Sequence, residues 1–236
     1  MNIDYFNNII LELWKAQNGS ELVKLAPLLY NEPKKNSILF IGINPSFSKK
    51  GFISILKDTK YEYVLKNLKD FYSTSIDYTN KIYKFKEIEE IARKKINYFN
   101  KFRKISKESN LDWDHIDLLQ IRETNQQNIK DIIKENKFLK DQIKLSVELI
   151  NYIKPKMIVV ENALARRILF DEFNTFETNI ISEKIDKTIG TYRYLPNNNV
   201  PIFFTGMLTG QHALDNGSYE RLKWHIKFVL DKEKEG

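Results

Sequence analysis

Chemistry in this chain has three places to sit. The first is Gly42-Ile43-Asn44-Pro45-Ser46-Phe47-Ser48, where the apolar run Ile38 to Ile41 ends in a glycine, an amide, a proline and two hydroxyls. An amide at the carboxyl end of a buried strand either orients a ligand there, as open α/β sheets do at strand ends, or caps the next segment of an ordinary turn. The second is Asp117-Leu118-Leu119-Gln120-Ile121, running into polar Arg122 to Gln127. Its carboxylate can only accept hydrogen bonds, whereas the Gln120 amide both accepts and donates. The third is Thr205 to His212, where Gly206, Met207, Leu208, Thr209, Gly210, Gln211 and His212 follow another apolar run.

Other chemistries lack their parts. Gly42 to Gly51 fits neither the dinucleotide fingerprint nor the P-loop spacing. His115, His212 and His225 show no metal-ligand spacing, and the absence of cysteine removes thiolate zinc sites, Cys-ligated clusters and disulfides, so no metal or other cofactor is expected. Asn44 and Pro45 stand where a nucleophile elbow needs a serine between glycines.

The elements that must position these residues follow from periodicity. Ile3, Phe6, Ile10 and Leu13 recur at helical spacing beside Trp14, and Leu22 to Leu29 reads as a second helix, which makes residues 1–35 an N-terminal helical segment. The run from Ser37 is too short for a helix, and Pro45 stops it as a strand at about Asn44. Residues 49–110 read as a long, aromatic helical insertion. Trp113 to Ile121 is the next strand. Leu139, Ile143, Val147 and Ile150 mark a helix that Pro155 ends, Lys156 to Glu161 a third strand, and Asn162 the cap of a helix through Leu169. Residues 171–199 read as irregular except for an edge-strand candidate at 191–194. Pro201 to Thr205 is a fourth strand, and a closing helix carries Tyr219, Leu222, Ile226 and Val229, capped by Ser218 or Asp215. Four buried strands alternating with helices predict one domain over 1–236, a three-layer α/β/α sandwich around a central, mostly parallel four-stranded sheet. The carboxyl ends of its strands would bring the three chemical stretches to one edge.

Composition bounds the partners. A balance of 38 Lys+Arg against 31 Asp+Glu gives +7, which suits a polyanion and equally suits a lysine-rich soluble protein. Met1-Asn2-Ile3-Asp4 opens no signal peptide and no run approaches a membrane span, so a cytoplasmic location is expected, with no membrane partner.

Gly42-Ile43-Asn44-Pro45-Ser46 resembles the first motif of the uracil-DNA glycosylase superfamily, especially the branches that remove mismatched thymine or 5-substituted uracil. Their pattern reads Gly-Ile-Asn-Pro-Gly or Gly-Met-Asn-Pro-Gly. The order of parts is similar too: a helical insertion, a strand ending in a base-reading residue, the Ile153 to Val160 strand, and a last strand opening into an intercalating loop. The resemblance spans most of residues 35 to 230 and implies DNA as partner and a monomeric enzyme without metal cluster or cofactor. It implies that Asn44 holds the attacking water while backbone N–H groups around Ile43, Ser46 and Phe47 meet the flipped base, with Phe47 or Phe52 stacking on it. Asp117 falls at the base-reading position, and an alternative register puts Gln120 there. A carboxylate in that place favours the N4 amino group of a cytosine-type base over uracil, which points to a modified cytosine such as some phage genomes carry, and to anti-phage defence.

The chain departs from the family in its third motif. The family has a His-Pro-Ser-type loop where this chain has Thr205-Gly206-Met207-Leu208-Thr209-Gly210, so no histidine falls in register and His212 lies later. Met207 and Leu208 become candidate wedges into the duplex, with Thr209, Gly210, Gln211 and His212 in the DNA-contacting loop and Gln211, Asn216 and Ser218 suited to phosphate. Arg122, Arg166, Arg167, Lys49 and Lys50 are further candidates for backbone contacts. Two other readings stay open: a catalytically silent DNA-binding protein of the same fold, and an α/β enzyme acting on nucleosides.

Overall fold

The computed structural model describes residues 2–17, 19–75, 78–170, 172, 182–186, 190–195, 200–209 and 213–235. Its elements are α1 (Ile3–Ala16), β1 (Ile38–Gly42), α2 (Lys49–Leu56), α3 (Leu68–Tyr72), α4 (Ile82–Lys95), α5 (Asn100–Ser109), β2 (Trp113–Asp117) and α6 (Gln126–Ile132). There follow α7 (Lys137–Ile153), β3 (Met157–Val160), α8 (Ala163–Leu169), β4 (Ser182–Asp186), β5 (Gly190–Leu195), β6 (Val200–Phe204) and α9 (Asn216–Glu235). The contacts group residues into two compact units. The first comprises Met1–Pro33, Asn44–Phe99 and Leu119–Leu145, and the second Lys34–Ile43, Asn100–Leu118 and Ser146–Gly236.

The second unit holds the sheet, in the order β2-β1-β3-β6-β5-β4. The four expected strands are all parallel, and β5 and β4 extend them in antiparallel pairing beyond β6. Ile38 to Ile41 are wholly buried, as a parallel strand covered on both faces requires. Phe40, His115, Val159 and Phe203 align across β1, β2, β3 and β6 as one row. On that face Phe102 of α5 stacks on Phe40 at 4.4 Å and His225 of α9 lies over Phe203. Tyr219 of α9 donates its hydroxyl to the Lys101 carbonyl of α5, joining the two helices as one layer. Phe204, one residue on and so on the opposite face, meets Phe170 at the end of α8. The architecture is therefore a three-layer α/β/α sandwich. Asn162 caps α8 as expected, its Oδ1 accepting from the Leu164 and Ala165 N–H groups at 2.8 and 3.1 Å. Asp215, not Ser218, caps α9 by accepting from the Ser218 N–H.

Two expectations fail here. Residues 171–199 are not irregular throughout, since Ser182–Asp186 forms a strand paired with β5. Ser-Glu-Lys-Ile-Asp carries no apolar alternation, and the strand exists because β5 offers it a ladder. Nor does β2 run to Ile121, for it stops at Asp117. The following backbone groups find partners outside any ladder: Leu118 N–H donates to the Gly42 carbonyl.

The first unit is helical. Asn2 caps α1 through Tyr5 N–H, and the face Ile3, Phe6, Ile10 and Trp14 is buried. Leu22 to Leu29 is not the helix that its apolar residues suggest. Only Glu21–Val23 makes a 3-10 turn, and beyond it the chain is extended beside residues 72–74, with Ala26 N–H on the Tyr72 carbonyl and Thr74 N–H on the Lys24 carbonyl. Pro27 explains the failure, because it lacks an N–H and pushes Ala26 out of the helical region. Rings of Phe52, Phe71, Tyr72 and Phe85 pack together between α2, α3 and α4. Past β2, Gln120 is tied into this unit, with its N–H on Gln142 Oε1 at 2.7 Å and its carbonyl accepting from Leu28 N–H.

Candidate active site

In the first unit the site is built around Asn44. Ser48, not Asn44, caps the following helix α2 by accepting from the Gly51 N–H. That removes the capping role from the Asn44 side chain. Its Nδ2 donates instead to the Glu123 carbonyl and, at 3.3 Å, to the Pro45 carbonyl. Both partners are obligate acceptors, so the nitrogen must face them, and Oδ1 must face away. That Oδ1 is buried and has no hydrogen-bond partner among the described residues. A half-buried amide is thus held by one end, while its acceptor end is enclosed and unpartnered among the described residues, as an acceptor reserved for a ligand or a water would be.

The loop after Asn44 is stitched to Thr124. Thr124 Oγ1 accepts from Phe47 N–H and donates to the Phe47 carbonyl, each at 3.3 Å, and lies 3.5 Å from the exposed Ser46 hydroxyl. The Phe47 N–H expected to meet a base is therefore already engaged. The Phe47 ring is half-buried, 5.2 Å from Phe52 and 5.5 Å from Tyr72. It also borders a cleft of about 610 Å³ together with Leu22, Lys69, Ser73, Thr74 and Arg122. Phe52 is buried at 6% exposure, which leaves Phe47 as the stacking candidate of the pair.

Two polar candidates in this unit turn out to be ties within the fold. Gln120 is 1% exposed and donates through Nε2 to the Tyr30 hydroxyl, so its amide nitrogen helps to hold the residue 28–30 segment. Arg122, a candidate for DNA-backbone contacts, has its guanidinium engaged within the fold. Its side chain is 2% exposed, pairs with Glu89 at 2.6 Å, donates to the Ala26 carbonyl and lies over the Tyr72 ring. Burial holds the Tyr72 hydroxyl well above its ordinary pKa, with the guanidinium acting in the other direction.

In the second unit the carboxyl ends of β2, β1 and β3 carry Asp117, Gly42 and, just past the strand, Glu161. Register places Gly42 beside Asp117, and Ile43 follows, 3% exposed. A side chain on Gly42 would stand 2.3 Å from Asp117 Oδ1 and 3.2 Å from His115 Nε2, so the glycine leaves the space that these groups fill. His115 Nε2 lies 3.6 Å from Glu161 Oε1 and its ring stacks on Phe102. Asp117, His115 and Glu161 are all buried, at 5, 7 and 1% exposure. Asp117 is therefore not a solvated carboxylate. Sequence reasoning passed over His115 and Glu161 as site residues. The available signal was parity: His115 and Asp117 are two apart on one strand and share a face, and Glu161 ends the strand on the other side of β1.

The Thr205 loop is only partly described. Met207 is half-buried, Leu208 is fully buried and Thr209 is half-buried with Oγ1 enclosed; Gly210, Gln211 and His212 lie outside the described residues. As placed, Leu208 packs inward and Met207 is the more accessible of the two apolar candidates. At the start of α9 Ser218 donates its hydroxyl to Asp215 at 2.7 Å, and its hydroxyl and N–H lower the Asp215 pKa, so this helix end already carries a carboxylate of its own. Asn216, Lys49 and Lys50 are exposed, while Arg166 and Arg167 share Glu172.

Among the described residues no group of three or more His, Asp or Glu is placed to hold a metal ion, and no helix is long and apolar enough to cross a membrane. Comparison of the chain with family models, with curated proteins and with solved structures returned no match.

Proposed function

We propose that the chain is a DNA glycosylase related to the uracil-DNA glycosylase superfamily: a cytoplasmic, monomeric enzyme that flips a pyrimidine out of DNA and hydrolyses its N-glycosidic bond without metal or cofactor. The Asn44 amide carries this reading. Its nitrogen is fixed on two backbone carbonyls and its buried oxygen has no partner among the described residues, which is the arrangement that orienting a water asks of an amide. Cleavage passes through an oxocarbenium-like sugar, so the water needs placing more than it needs deprotonating, and a neutral amide suffices. The C1′–N1 bond breaks with its electron pair leaving on the base, the water oxygen bonds C1′, and the water's proton passes to solvent or to the departing base.

Asp117 at the end of β2 is the base-reading residue in this proposal. Its carboxylate accepts only, which favours an amino-bearing, cytosine-type base, and a modified cytosine avoids attack on ordinary DNA. A role against DNA that carries such bases follows from that choice. Phe47 supports the base by stacking from beside its cleft. Met207, with the rest of the Thr205 to His212 loop, contacts the duplex.

The test is incubation with synthetic single- and double-stranded DNA carrying uracil, thymine mismatches, 5-hydroxymethyluracil, 5-hydroxymethylcytosine or its glucosylated form, followed by alkali to reveal abasic sites. Release of at least one base, lost in Asn44→Ala with DNA affinity retained, is expected. Failure on every base rejects the reading.

A further inference from the structure

The groups that aim Asn44 form a small assembly of their own within the first unit. Glu123 presents its main-chain carbonyl to Asn44 Nδ2. Its carboxylate is fastened at the start of α6, where Oε1 accepts from Asn125 N–H at 2.7 Å and Oε2 from Asn128 Nδ2 at 3.1 Å. Asn125 is in turn the cap of α6, accepting from Gln127 N–H at 3.1 Å. Next to Glu123, the Thr124 hydroxyl uses its full capacity of one donor and two lone pairs on the Phe47 carbonyl, the Phe47 N–H and the Ser46 hydroxyl.

We propose that Glu123 is the positioning residue for Asn44, with Thr124 as its second point of hold on the same loop. This rests on the reading of Asn44 as the water-orienting amide and adds what fixes its orientation. Rotation of the amide by a half-turn exchanges nitrogen and oxygen. With the Glu123 and Pro45 carbonyls in place only one orientation avoids oxygen against oxygen, and it is the one that presents an acceptor to water. The Glu123 side chain holds that carbonyl still by anchoring the turn to a helix end. Both carboxylate oxygens are needed, because each faces an N–H donor. A glutamine of the same shape would set an NH2 against one of those donors.

The experiment compares Glu123→Ala, Glu123→Gln, Thr124→Val and Thr124→Ser with wild type by single-turnover base release, by affinity for the same DNA under non-cleaving conditions, and by the side-chain NH2 resonances of Asn44, assigned through their loss in Asn44→Ala. Glu123→Ala is expected to slow release by about 10- to 100-fold while affinity stays within about two-fold, as a misplaced reacting group does. Glu123→Gln falls between, Thr124→Val slows release, and Thr124→Ser restores it. A merely structural role would move folding stability but not this split between rate and affinity. In Glu123→Ala the Asn44 NH2 signals are expected to shift and to exchange faster with water. Unchanged Asn44 signals overturn the proposal, as does a wild-type rate in Glu123→Ala alongside an inactive Asn44→Ala. If wild type releases no base, the glycosylase reading falls by itself, and the Asn44 resonances alone decide the positioning role.

Discussion

Gly42→Ala is the sharpest perturbation that the second unit offers. The added Cβ would lie 2.3 Å from Asp117 Oδ1 and 3.2 Å from His115 Nε2. The Asp117 carboxylate must then retreat by about 1 Å to reach an ordinary contact, inside an interior packed too densely to yield freely. Overpacking of this kind costs about 1–3 kcal/mol, and moving a buried carboxylate off its partners adds about 1–3 kcal/mol, so a loss of roughly 2–6 kcal/mol is expected. Gly51 supplies the control. It lies in α2, where a Cβ would meet nothing closer than 3.7 Å, so Gly51→Ala should stabilise by about 0.5–1 kcal/mol. The assay is urea unfolding of both variants, completed by Asp117→Ala and Asp117→Asn in the Gly42→Ala background. Asp117→Ala removes the obstructing oxygens, so the double variant should be at least about 1 kcal/mol more stable than the sum of the singles. Asp117→Asn keeps the shape and should relieve nothing. A Gly42→Ala protein as stable as wild type would show that the carboxylate does not lie over Gly42, and the reasoning about the buried cluster would go with it.

Three further outcomes each test one side chain. Asp117→Asn should shift base preference from amino-bearing toward uracil-type bases, read as the ratio of release rates on paired substrates; an unchanged ratio rejects Asp117 as the reader. Arg122→Ala should lower stability by about 3–5 kcal/mol, because it leaves Glu89 and the Ala26 carbonyl without their guanidinium, while the DNA affinity of the folded fraction stays the same. A stable variant with weakened DNA binding and a shallower salt dependence would return Arg122 to the phosphate contacts. Glu87 accepts from Lys60, Tyr61 and Tyr83, and these bonds bring its carboxyl down to about 2 while the Tyr61 hydroxyl, mainly through burial, is pushed up to about 12. A depressed carboxylate stabilises above its unfolded pKa and loses that contribution as pH falls through the folded one. Glu87→Gln should therefore be less stable than wild type at pH 7, with the difference closing as pH falls from about 4.5 to about 2. A gap that persists at the acid end would remove charge as its cause.

How much was legible in the sequence varies with how local the cause is. The Asn162 cap, the end of α7 before Pro155 and the four parallel strands rest on neighbouring residues, and each can be read from the chain. Pro27 was equally readable as a bar to a helix over Leu22 to Leu29, but the apolar count overrode it. β4 was not readable, because Ser182 to Asp186 has no strand pattern and takes its ladder from β5. Arg122 could not be placed from sequence either. An arginine in a polar stretch reads as solvated until Tyr72 and Glu89, far away in the chain, are seen to enclose it.

The site itself divides along the same line. Asn44 was legible as a choice between capping and ligand orientation, and a single fact outside the motif, the hydroxyl of Ser48 on the Gly51 N–H, decides against the cap. Gly42 shows the opposite case. By itself it reads as the start of a loop, a residue chosen for backbone freedom. Register shows instead that it ends a straight strand between two others that carry acids at their carboxyl ends, and that its missing side chain is the space into which Asp117 and His115 turn. The first glycine of the motif is thus explained by packing alone, whatever the chain does. The functional reading rests instead on the amide two residues later, held by its nitrogen and with a buried oxygen unpartnered among the described residues, and it stands or falls on Asn44.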